Sequence, residues 1–322
     1  MQHSPNNPIE NRLKEGVTEE TVLQAVETSG YPLQTVVGGH LRAAGLSDVQ
    51  QEWSYVDRDS GNTRTLDVIA HKPFFETPRS WRDPEGQVDA SLALLIECKQ
   101  SKLPYVFFLS SDKPSVRDFP AVAGIPPLKI SKGGGGSIHS QNPAVALSLD
   151  RHHFVSDATW CAAFAKCSRK GKDLELSGNE PFNNLVLPLS KALDYFVKVR
   201  TRAKDRRDNN YLCTLALALG VLDAPMVGIR VTEEGNEAIL LPWVRVVRHE
   251  TRQLERSARG EDRLIAVDVI HKDFLARYLG DHLLPFAESF SYTVEDHQES
   301  IRSGKGRGVG GEPRLAPRVK PS

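Results

Sequence analysis

A strand-like apolar run that carries two opposite charges is the feature that most constrains how this chain folds. Leu94, Leu95 and Ile96 are followed by Glu97 and Lys99 on alternate positions. Side chains alternate between the two faces of a strand, so both ions point to the same side. Burying the two charges is unfavourable by several kcal/mol unless each finds partners. The fold must therefore bring compensating groups, either protein charges or a bound cation, to this strand.

A second acid occupies a similar position on the preceding predicted strand. Asp67 lies in the apolar stretch TLDVIAHK, which ends a hairpin over 51–72 built around the turn sequence DRDSGN. Neighbouring strands lie about 5 Å apart, close enough for Asp67 and Glu97 to share one ion. Mg²⁺ prefers oxygen ligands and takes one or two carboxylates together with water and phosphate. The residues therefore predict a magnesium site on Asp67 and Glu97, with the backbone carbonyl of Cys98 as a further ligand.

Hydrophobic periodicity predicts an α/β fold with a mixed central β-sheet flanked by helices. A helix begins at Thr18 and is broken at residues 30–32, and the hairpin over 51–72 supplies two strands. Further helices are predicted at about 32–44, 157–167, 182–200 and 272–289, and further strands at about 91–98, 105–109, 213–219, 226–231, 239–248 and 264–269.

Composition divides the chain into one domain with two dissimilar ends. Residues 1–17 are polar and predict a flexible leader, whereas 18–298 form a single α/β domain. Within that domain, prolines and the tetraglycine at 133–136 predict an insert at about 110–160, an excursion rather than core. From 299 to 322 glycine, proline and basic residues dominate, which predicts a disordered basic tail.

Charge and cysteine content exclude several classes of protein. The 322 residues carry 41 Lys and Arg against 41 Asp and Glu, so any nucleic-acid partner must meet a local basic patch. The four cysteines form no CxxC pair, which favours buried thiols in a reducing compartment over a disulfide framework. There is no signal-peptide pattern and no apolar run long enough to span a bilayer. The sequence therefore predicts a cytoplasmic protein without a membrane partner.

The placement of the acids resembles the D…(D/E)xK signature of the PD-(D/E)xK nuclease superfamily. Asp67 stands on the second strand of a hairpin, and Glu97, Cys98 and Lys99 stand on the strand that follows. The segment GYPLQTVVGGHLRAAGL before the hairpin is similar to the opening of Mrr-type restriction endonucleases, so the resemblance extends over residues 30–110. It implies a restriction-endonuclease-like core.

The chain departs from this pattern at three positions. Gln34 stands where Mrr-type proteins commonly have glutamate, Glu97 where they often have glutamine, and Leu66 where the superfamily name has proline. The first two changes offset each other in carboxylate count. By resemblance, the catalytic residues are Asp67, Glu97 and Lys99, and Gln34 is a neutral group beside the metal ligands.

The resemblance implies a metal-dependent endodeoxyribonuclease that hydrolyses DNA phosphodiester bonds, of the restriction or phage-defence type. Mg²⁺, with Mn²⁺ as a substitute, would be held by Asp67, Glu97 and the Cys98 carbonyl, and would activate water and neutralise phosphate. Lys99 would orient that water or stabilise charge growing on the phosphate. Duplex DNA is the expected substrate, and a homodimer or a partner protein remains open as the means of target recognition.

A basic run at the end of the helix predicted over 182–200 has two interpretations. One is a solvated helix end, and the other is a surface that grips a phosphate backbone beside the nuclease sheet. The candidate DNA-binding residues are Lys198, Arg200, Arg202, Lys204, Arg206 and Arg207.

Two other functions stay open on the sequence. A catalytically inactive nucleic-acid-binding or regulatory protein on the same fold is favoured slightly by the balanced charge. In an unrelated α/β protein, Glu97 and Lys99 would merely pair with each other.

Two further polar groups are interpreted as structural. Zinc is disfavoured because His152, His153, Cys161 and Cys167 match no structural-zinc spacing. The VDVIHKD segment at 267–273 is interpreted as a strand that leads into a helix capped by Asp273.

Overall fold

The computed structural model describes residues 2, 4–75, 87–112, 114, 116, 119–132, 136–202, 211–252 and 261–315. The helices are α1 Glu19–Thr28, α2 Tyr31–Ala43, α3 Pro143–Ala146, α4 His153–Ser156, α5 Asn179–Pro181, α6 Leu187–Arg202, α7 Leu275–Arg277, α8 Leu284–Asp296 and α9 Gln298–Ser303. The strands are β1 Ser47–Val56, β2 Thr63–Pro73, β3 Val88–Gln100, β4 Tyr105–Leu109, β5 Ala121–Ala123, β6 Leu128–Ser131, β7 Ile138–Gln141, β8 Trp160–Lys170, β9 Asp173–Ser177, β10 Tyr211–Asp223, β11 Met226–Thr232, β12 Gly235–Leu240, β13 Trp243–Arg252, β14 Glu261–His271 and β15 Lys305–Arg307.

Twelve of the described strands form one mixed sheet, which confirms the predicted α/β class. Its order is β1-β2-β3-β10-β14-β13-β8-β4-β11-β12, with β5 paired to β10 and β9 paired to β8. The strands β3, β10 and β14 at its centre are parallel, while the hairpin β1–β2 pairs antiparallel with β3. The remaining three strands form a small separate sheet in the order β15-β6-β7.

Both faces of the large sheet are apolar and covered by helices. A strand of continuous hydrophobic sequence requires this, because its side chains point alternately to the two faces. On β3, Leu92, Leu94 and Ile96 belong to one buried cluster, and Ala93 and Leu95 belong to the other. Residues of α2, α7 and α8 pack in the first cluster, and residues of α6 pack in the second. The central strands therefore lie between two helical layers.

The helices predicted at 182–200 and 272–289 are confirmed, and a proline changes the hydrogen-bond pattern within each of them. The helical segment at 179–202 contains a π-helical turn at Phe182–Val186, and the segment at 272–296 contains one at Tyr278–Leu283. Each π turn is followed directly by a Leu-Pro pair. Proline has no N–H for the carbonyl four residues before it, so the hydrogen-bond ladder shifts at these points.

The predicted helix at 157–167 is wrong, because the segment is strand β8 from Trp160 onward. Its buried side chains at 160, 161, 164 and 165 have the spacing of a helix face. The spacing arises from a bulge, since Ala163 pairs with Phe108 and Cys161 pairs with Leu109, which leaves Ala162 as an extra residue. Pairing with β4 and β13 on its two sides decides the conformation.

The single strand predicted at 239–248 is two strands. β12 ends at Leu240 and β13 begins at Trp243, with Pro242 between them. Proline cannot donate to a strand ladder, so the chain changes partner here, from β11 to β14 and β8.

Two segments that composition assigned to the periphery belong to the folded core. The insert at 110–160 contributes β5 to β7, α3 and α4, and Val122, Leu128 and Ile130 are buried in the main cluster. The predicted disorder of 299–322 is wrong for 299–315, because β15 pairs with β6 of the insert and Leu315 is buried. Long-range pairing, which composition does not encode, orders both segments; residues 316–322 lie outside the described part.

The predicted leader at 1–17 contains only turns and irregular backbone among its described residues, and α1 follows with a capping box formed by Thr18 and Thr21. None of the helices that the structure describes combines the length and apolar character needed to cross a bilayer.

Candidate active site

The carboxylate of Asp67 is held from two directions. The side-chain amide of Gln34 on α2 donates a 2.7 Å hydrogen bond to Oδ1, and the backbone N–H of Cys98 on β3 donates one of 2.6 Å to Oδ2. Gln34 is buried because α2 lays its apolar residues Leu33 and Val37 on the sheet. Each oxygen of Asp67 therefore has one fixed partner, which sets the orientation of the carboxylate.

A separation of two strands makes room for this carboxylate. Pairing between β2 and β3 ends at Val68 and Ile96, although β2 continues to pair with β1 and β3 continues to pair with β10. Leu66 and Val68 lie in opposite buried clusters, whereas regular alternation would put both on one face. The backbone of β2 thus turns at Asp67. The Asp67 carboxylate accepts the hydrogen bond of the Cys98 N–H, for which the backbone of β2 provides no acceptor.

Glu97 and Lys99 approach Asp67 from the neighbouring strand. Lys99 Nζ lies 2.5 Å from Glu97 Oε1 and 4.0 Å from Asp67 Oδ2. The side chains of Glu97, Asp67 and Lys99 are 8%, 17% and 28% exposed, so the group lies mostly below the surface with Lys99 outermost. The structure brings these three side chains together, as the sequence predicts.

One oxygen of Glu97 is buried without a hydrogen-bond partner among the residues that the structure describes. Oε2 is buried and accepts no hydrogen bond within the described residues, while Oε1 accepts one from Lys99. Burial raises the pKa of Glu97 to about 7, the Lys99 charge opposes the rise, and the Asp67 charge adds to it. Burial also raises the pKa of Asp67 against its hydrogen bond from Cys98. Both acids are therefore short of compensating positive charge.

Burial likewise raises the pKa of the Cys98 thiol, which keeps it protonated and unreactive. The Cys98 N–H is occupied by Asp67, and a metal-ligand role for the Cys98 carbonyl stays a prediction.

Glu52 is a third acid at this site that the sequence interpretation missed. It lies between the β1–β2 pairs Gln51–Val68 and Trp53–Leu66, which places it opposite Asp67. Its φ is 54°, in the left-handed region that a non-glycine residue rarely adopts within a strand. The charge of Glu52 adds to the burial that raises the pKa of Asp67. Nothing in the local sequence QEWSY marks this conformation.

Aromatic side chains from β1 and α6 lie beside Glu97. Trp53 stacks on Tyr55 at 5.8 Å between ring centroids, and Tyr195 lies 6.0 Å from Trp53. The Tyr55 hydroxyl donates to the Pro188 carbonyl at 3.0 Å. Burial raises the pKa of Tyr55 to about 12, with the Glu97 charge contributing. The alternating apolar positions of β1 could have identified Trp53 and Tyr55, but not their neighbour on α6.

The candidate DNA-binding residues lie away from the carboxylates. His71 pairs with Ala93, its ring is 6.0 Å from Phe196, and burial together with the Arg200 charge lowers its pKa. The four residues from Ala93 to Glu97 span about 13 Å of strand, so the end of α6 sits well along the sheet from the acids. Lys198 is ion-paired with Asp194 at 2.7 Å.

The structure describes little of the remaining candidate DNA-binding residues. Arg202 is the last residue of α6, and Lys204, Arg206 and Arg207 lie outside the described residues.

The residues present fit a hard divalent cation. Asp67 and Glu97 present carboxylate oxygens, Gln34 holds Asp67 through its amide nitrogen, and Glu97 Oε2 has no hydrogen-bond partner among the described residues. Among the described residues, no three His, Cys, Asp or Glu side chains gather into a metal-binding group. An ion here would therefore rest on two carboxylates, with water and phosphate completing its shell, as Mg²⁺ commonly does.

The alternative polar groups have structural roles. His152 Nδ1 accepts from the Phe154 N–H, and Cys161 and Cys167 are buried free thiols on β8. The cap before the 3₁₀ turn at Lys272–Phe274 is His271 rather than Asp273.

Asp268 lies at the centre of a buried network. It receives a bidentate pair of hydrogen bonds from Arg245, at 2.5 and 2.8 Å, and a third from the Tyr278 hydroxyl at 2.5 Å. Arg245 also donates to the carbonyls of Phe154 and Val155. This network joins β13, β14, α4 and the C-terminal helices, and it has a structural function.

Comparisons of this chain with models of protein families, with curated proteins and with solved structures gave no match.

Proposed function

We propose that this chain is a metal-dependent nuclease that hydrolyses phosphodiester bonds of DNA, of the restriction or phage-defence type, on a restriction-endonuclease-like core. The observation that carries the proposal is the meeting of Asp67, Glu97 and Lys99 where β2 separates from β3, with Glu97 Oε2 buried and unpartnered. Two acids that share one lysine are left with a net negative charge, which suits a divalent cation better than a structural ion pair.

Asp67 and Glu97 are the residues that would hold the ion, which is Mg²⁺ with Mn²⁺ as a substitute. When bound, the ion supplies positive charge against the phosphate and lowers the pKa of a coordinated water. Gln34 and the Cys98 N–H each fix one oxygen of Asp67, so this carboxylate is oriented before any ligand arrives. Gln34 contributes this orientation without adding a third charge.

Lys99 would act on the phosphate. Its side chain is more exposed than those of Asp67 and Glu97, and its ammonium group has three donors, of which Glu97 takes one in the structure. A phosphate oxygen entering beside Asp67 would meet the other N–H groups, and the charge that develops on it during hydrolysis would be stabilised there. Glu97 and Asp67 keep Lys99 in the site when no substrate is present.

The proposal assigns DNA contacts at some distance from the cleaved bond to Lys198, Arg200 and the basic residues that follow. Lys198, Arg200 and Arg202 lie on α6, which packs on the sheet face to which β3 directs Glu97 and Lys99, and a duplex long enough to reach them would pass the acids. A homodimer or a partner protein would supply further target recognition.

Plasmid cleavage tests the proposal directly. The purified protein is incubated with supercoiled plasmid and Mg²⁺ or Mn²⁺, alongside Asp67→Asn, Glu97→Gln and Lys99→Met. The matched control is Glu237→Gln, which removes an exposed ion pair with Arg230 on the far edge of the sheet. We expect cleavage by wild type and control, and its loss in the three site variants with folding retained.

A thermal-denaturation series with and without the divalent ion accompanies the plasmid assay, because a ligand of the folded state raises Tm by mass action. DNA binding without cleavage under any divalent ion would favour the catalytically inactive nucleic-acid-binding protein. Absence of binding, cleavage and Tm shift together would reject both and leave Glu97 and Lys99 as a structural pair.

A further inference from the structure

Glu52 lies where the β1–β2 hairpin bends beside Asp67. The two residues are opposite each other in the register of the hairpin. β1 changes face at this point, because Val49 packs against the buried cluster that includes α2, whereas Trp53 packs against the cluster that includes α6. Regular alternation would direct both of these side chains to one face of the sheet. Glu52 on β1 therefore occupies the same bend of the hairpin that gives Asp67 its place in the site.

The charge of Glu52 reaches Asp67. It raises the pKa of the Asp67 carboxyl by more than the hydrogen bond from Gln34 lowers it. A like charge disfavours the ionised form in this way only when it is close. Glu52 itself is exposed, and its carboxylate forms no hydrogen bond or ion pair with the residues that the structure describes. A third acid is therefore close to the site and is not paired with another described residue.

The three acids together lack positive charge. Three carboxylates against the single ammonium group of Lys99 give a net charge of −2 when all are ionised, which one divalent cation would cancel. Glu97 gives an observation independent of this count, because its side chain is 8% exposed and its buried Oε2 has no hydrogen-bond partner among the described residues. The group therefore suits a divalent cation even in the absence of DNA.

We propose that Glu52 is the third carboxylate of the cation site and contacts the ion through water, an inference that rests on the proposed function. Direct coordination by all three acids does not fit, because no three acid side chains gather closely enough for it in the described part of the chain. Glu52 is exposed, so water has room beside its carboxylate. Mg²⁺ keeps several of its waters in proteins, and groups beyond the direct ligands orient what the ion holds.

The role of Glu52 follows from this position. A carboxylate only accepts hydrogen bonds, so Glu52 would hold the hydrogen atoms of a water and leave its oxygen lone pair for the phosphate. Asp67 and Glu97 hold the ion, whereas Glu52 is a positioning residue for the water and adds the charge that retains the ion before DNA arrives.

Mn²⁺ binding without DNA tests this role. Calorimetric titration with Mn²⁺, followed by displacement with Mg²⁺, compares wild type with Glu52→Gln, which keeps the size of the side chain and removes its charge. Glu52→Asp keeps the charge on a shorter side chain. The matched control is Asp48→Asn, because Asp48 is another exposed acid of β1 with a positive φ, 47°, and it lies beside His71 rather than beside the acids.

We expect one Mn²⁺ per chain in wild type and in Asp48→Asn, binding that is about 10- to 100-fold weaker in Glu52→Gln, and an intermediate affinity in Glu52→Asp. The Mg²⁺ concentration for half-maximal plasmid cleavage should rise by the same factor in Glu52→Gln. Equal Mn²⁺ affinities of Glu52→Gln and Asp48→Asn, or no Mn²⁺ binding by wild type, would overturn the assignment of Glu52.

The outcomes distinguish the role of Glu52 from the nuclease activity. Mn²⁺ binding that depends on Glu52, without plasmid cleavage under any divalent ion, rejects the nuclease and retains the cation site. Plasmid cleavage by wild type, with Mn²⁺ binding unchanged in Glu52→Gln, retains the nuclease and rejects the role of Glu52. A purely structural effect of Glu52→Gln would change the unfolding free energy in EDTA and leave the Mn²⁺ affinity of the folded protein as it is in wild type, which also rejects that role.

Discussion

The backbone N–H of Cys98 donates a 2.6 Å hydrogen bond to the carboxylate of Asp67. In an uninterrupted antiparallel pair this N–H would belong to the backbone of β2. Pairing between β2 and β3 instead stops at Val68 and Ile96, and a side chain takes the place of the backbone acceptor. The acid is thus positioned by the same separation of strands that opens the site.

Replacing Gln34 with glutamate should destabilise the metal-free protein. Gln34 Nε2 donates to Asp67 Oδ1 at 2.7 Å, and a carboxylate there would lose the hydrogen bond and place two negative charges in contact. We expect a loss of about 1–3 kcal/mol in the free energy of unfolding, measured by urea denaturation. Under the proposed function, Mg²⁺ should then raise Tm more in Gln34→Glu than in wild type. An unchanged metal-free stability would contradict the hydrogen bond itself.

The stability of the protein should fall as pH rises through neutrality because of Glu97. Burial raises its pKa from the ordinary value of 4.5 to about 7, so the folded state holds a proton that the unfolded state releases between these values. This contribution is fully present below pH 4.5 and is lost as pH rises through about 7. At about 1.4 kcal/mol per pKa unit, the loss is at most about 3.5 kcal/mol.

Urea denaturation of wild type and Glu97→Gln across this pH range isolates the effect, because other titrating groups are common to both. The difference in unfolding free energy between the two proteins should change with pH in the predicted direction. Parallel curves for the two proteins would show that Glu97 titrates normally.

Two substitutions of Glu52 should separate its backbone from its charge. Its φ of 54° is unfavourable for a residue with a Cβ by about 1–2 kcal/mol, so Glu52→Gly should stabilise the fold by roughly that amount. Glu52→Gln keeps the backbone cost and removes the charge. Both should lower the pKa of Asp67, measured by carboxyl NMR titration, because the Glu52 charge helps to raise it. An equal stability for the two variants would show that no strain resides at this position.

Removing the charge of Asp268 should be among the most damaging single changes. Asp268→Asn leaves the guanidinium of Arg245 buried without its counter-ion, where both residues are 0% exposed. Breaking such a pair from one side costs about 3–5 kcal/mol. The control is Glu237→Gln, whose exposed pair with Arg230 contributes about 0–1 kcal/mol. If urea denaturation gave the same loss of unfolding free energy for Asp268→Asn and Glu237→Gln, a structural role for Asp268 would be contradicted.

The C-terminal segment should contribute to the stability of the whole fold. Leu315 is 4% exposed in the main cluster, and Leu315→Ala should cost about 2–5 kcal/mol. Val309→Ala, at a side chain that is 56% exposed on the same segment, should cost less than about 0.5 kcal/mol. If thermal unfolding of the two variants were indistinguishable, the segment would not be part of the cooperative fold.

The local pattern of the sequence was sufficient for the elements around the site. The two-residue period put Glu97 and Lys99 on one face of β3, and the DRDSGN turn with its flanking alternation predicted β1 and β2. Helix α2 was predicted from the spacing of Leu33, Val36, Val37 and Leu41; three of these are buried, but Val36 is 50% exposed and was wrongly placed on the buried face. These features depend on interactions within a few residues, which short-range periodicity records.

Contacts between segments distant in sequence decided the remaining features of the fold and of the site. β8 has the spacing of a helix because a bulge adds one residue, and only its partners β4 and β13 make it a strand. The segment at 299–315 is ordered by β6 and by the core around Leu315, far away in sequence. The orientation of Asp67 depends on where β2 leaves β3. The sequence by itself determined which residues could share a face; the tertiary structure decided which acids meet, because that depends on contacts between segments that no local period encodes.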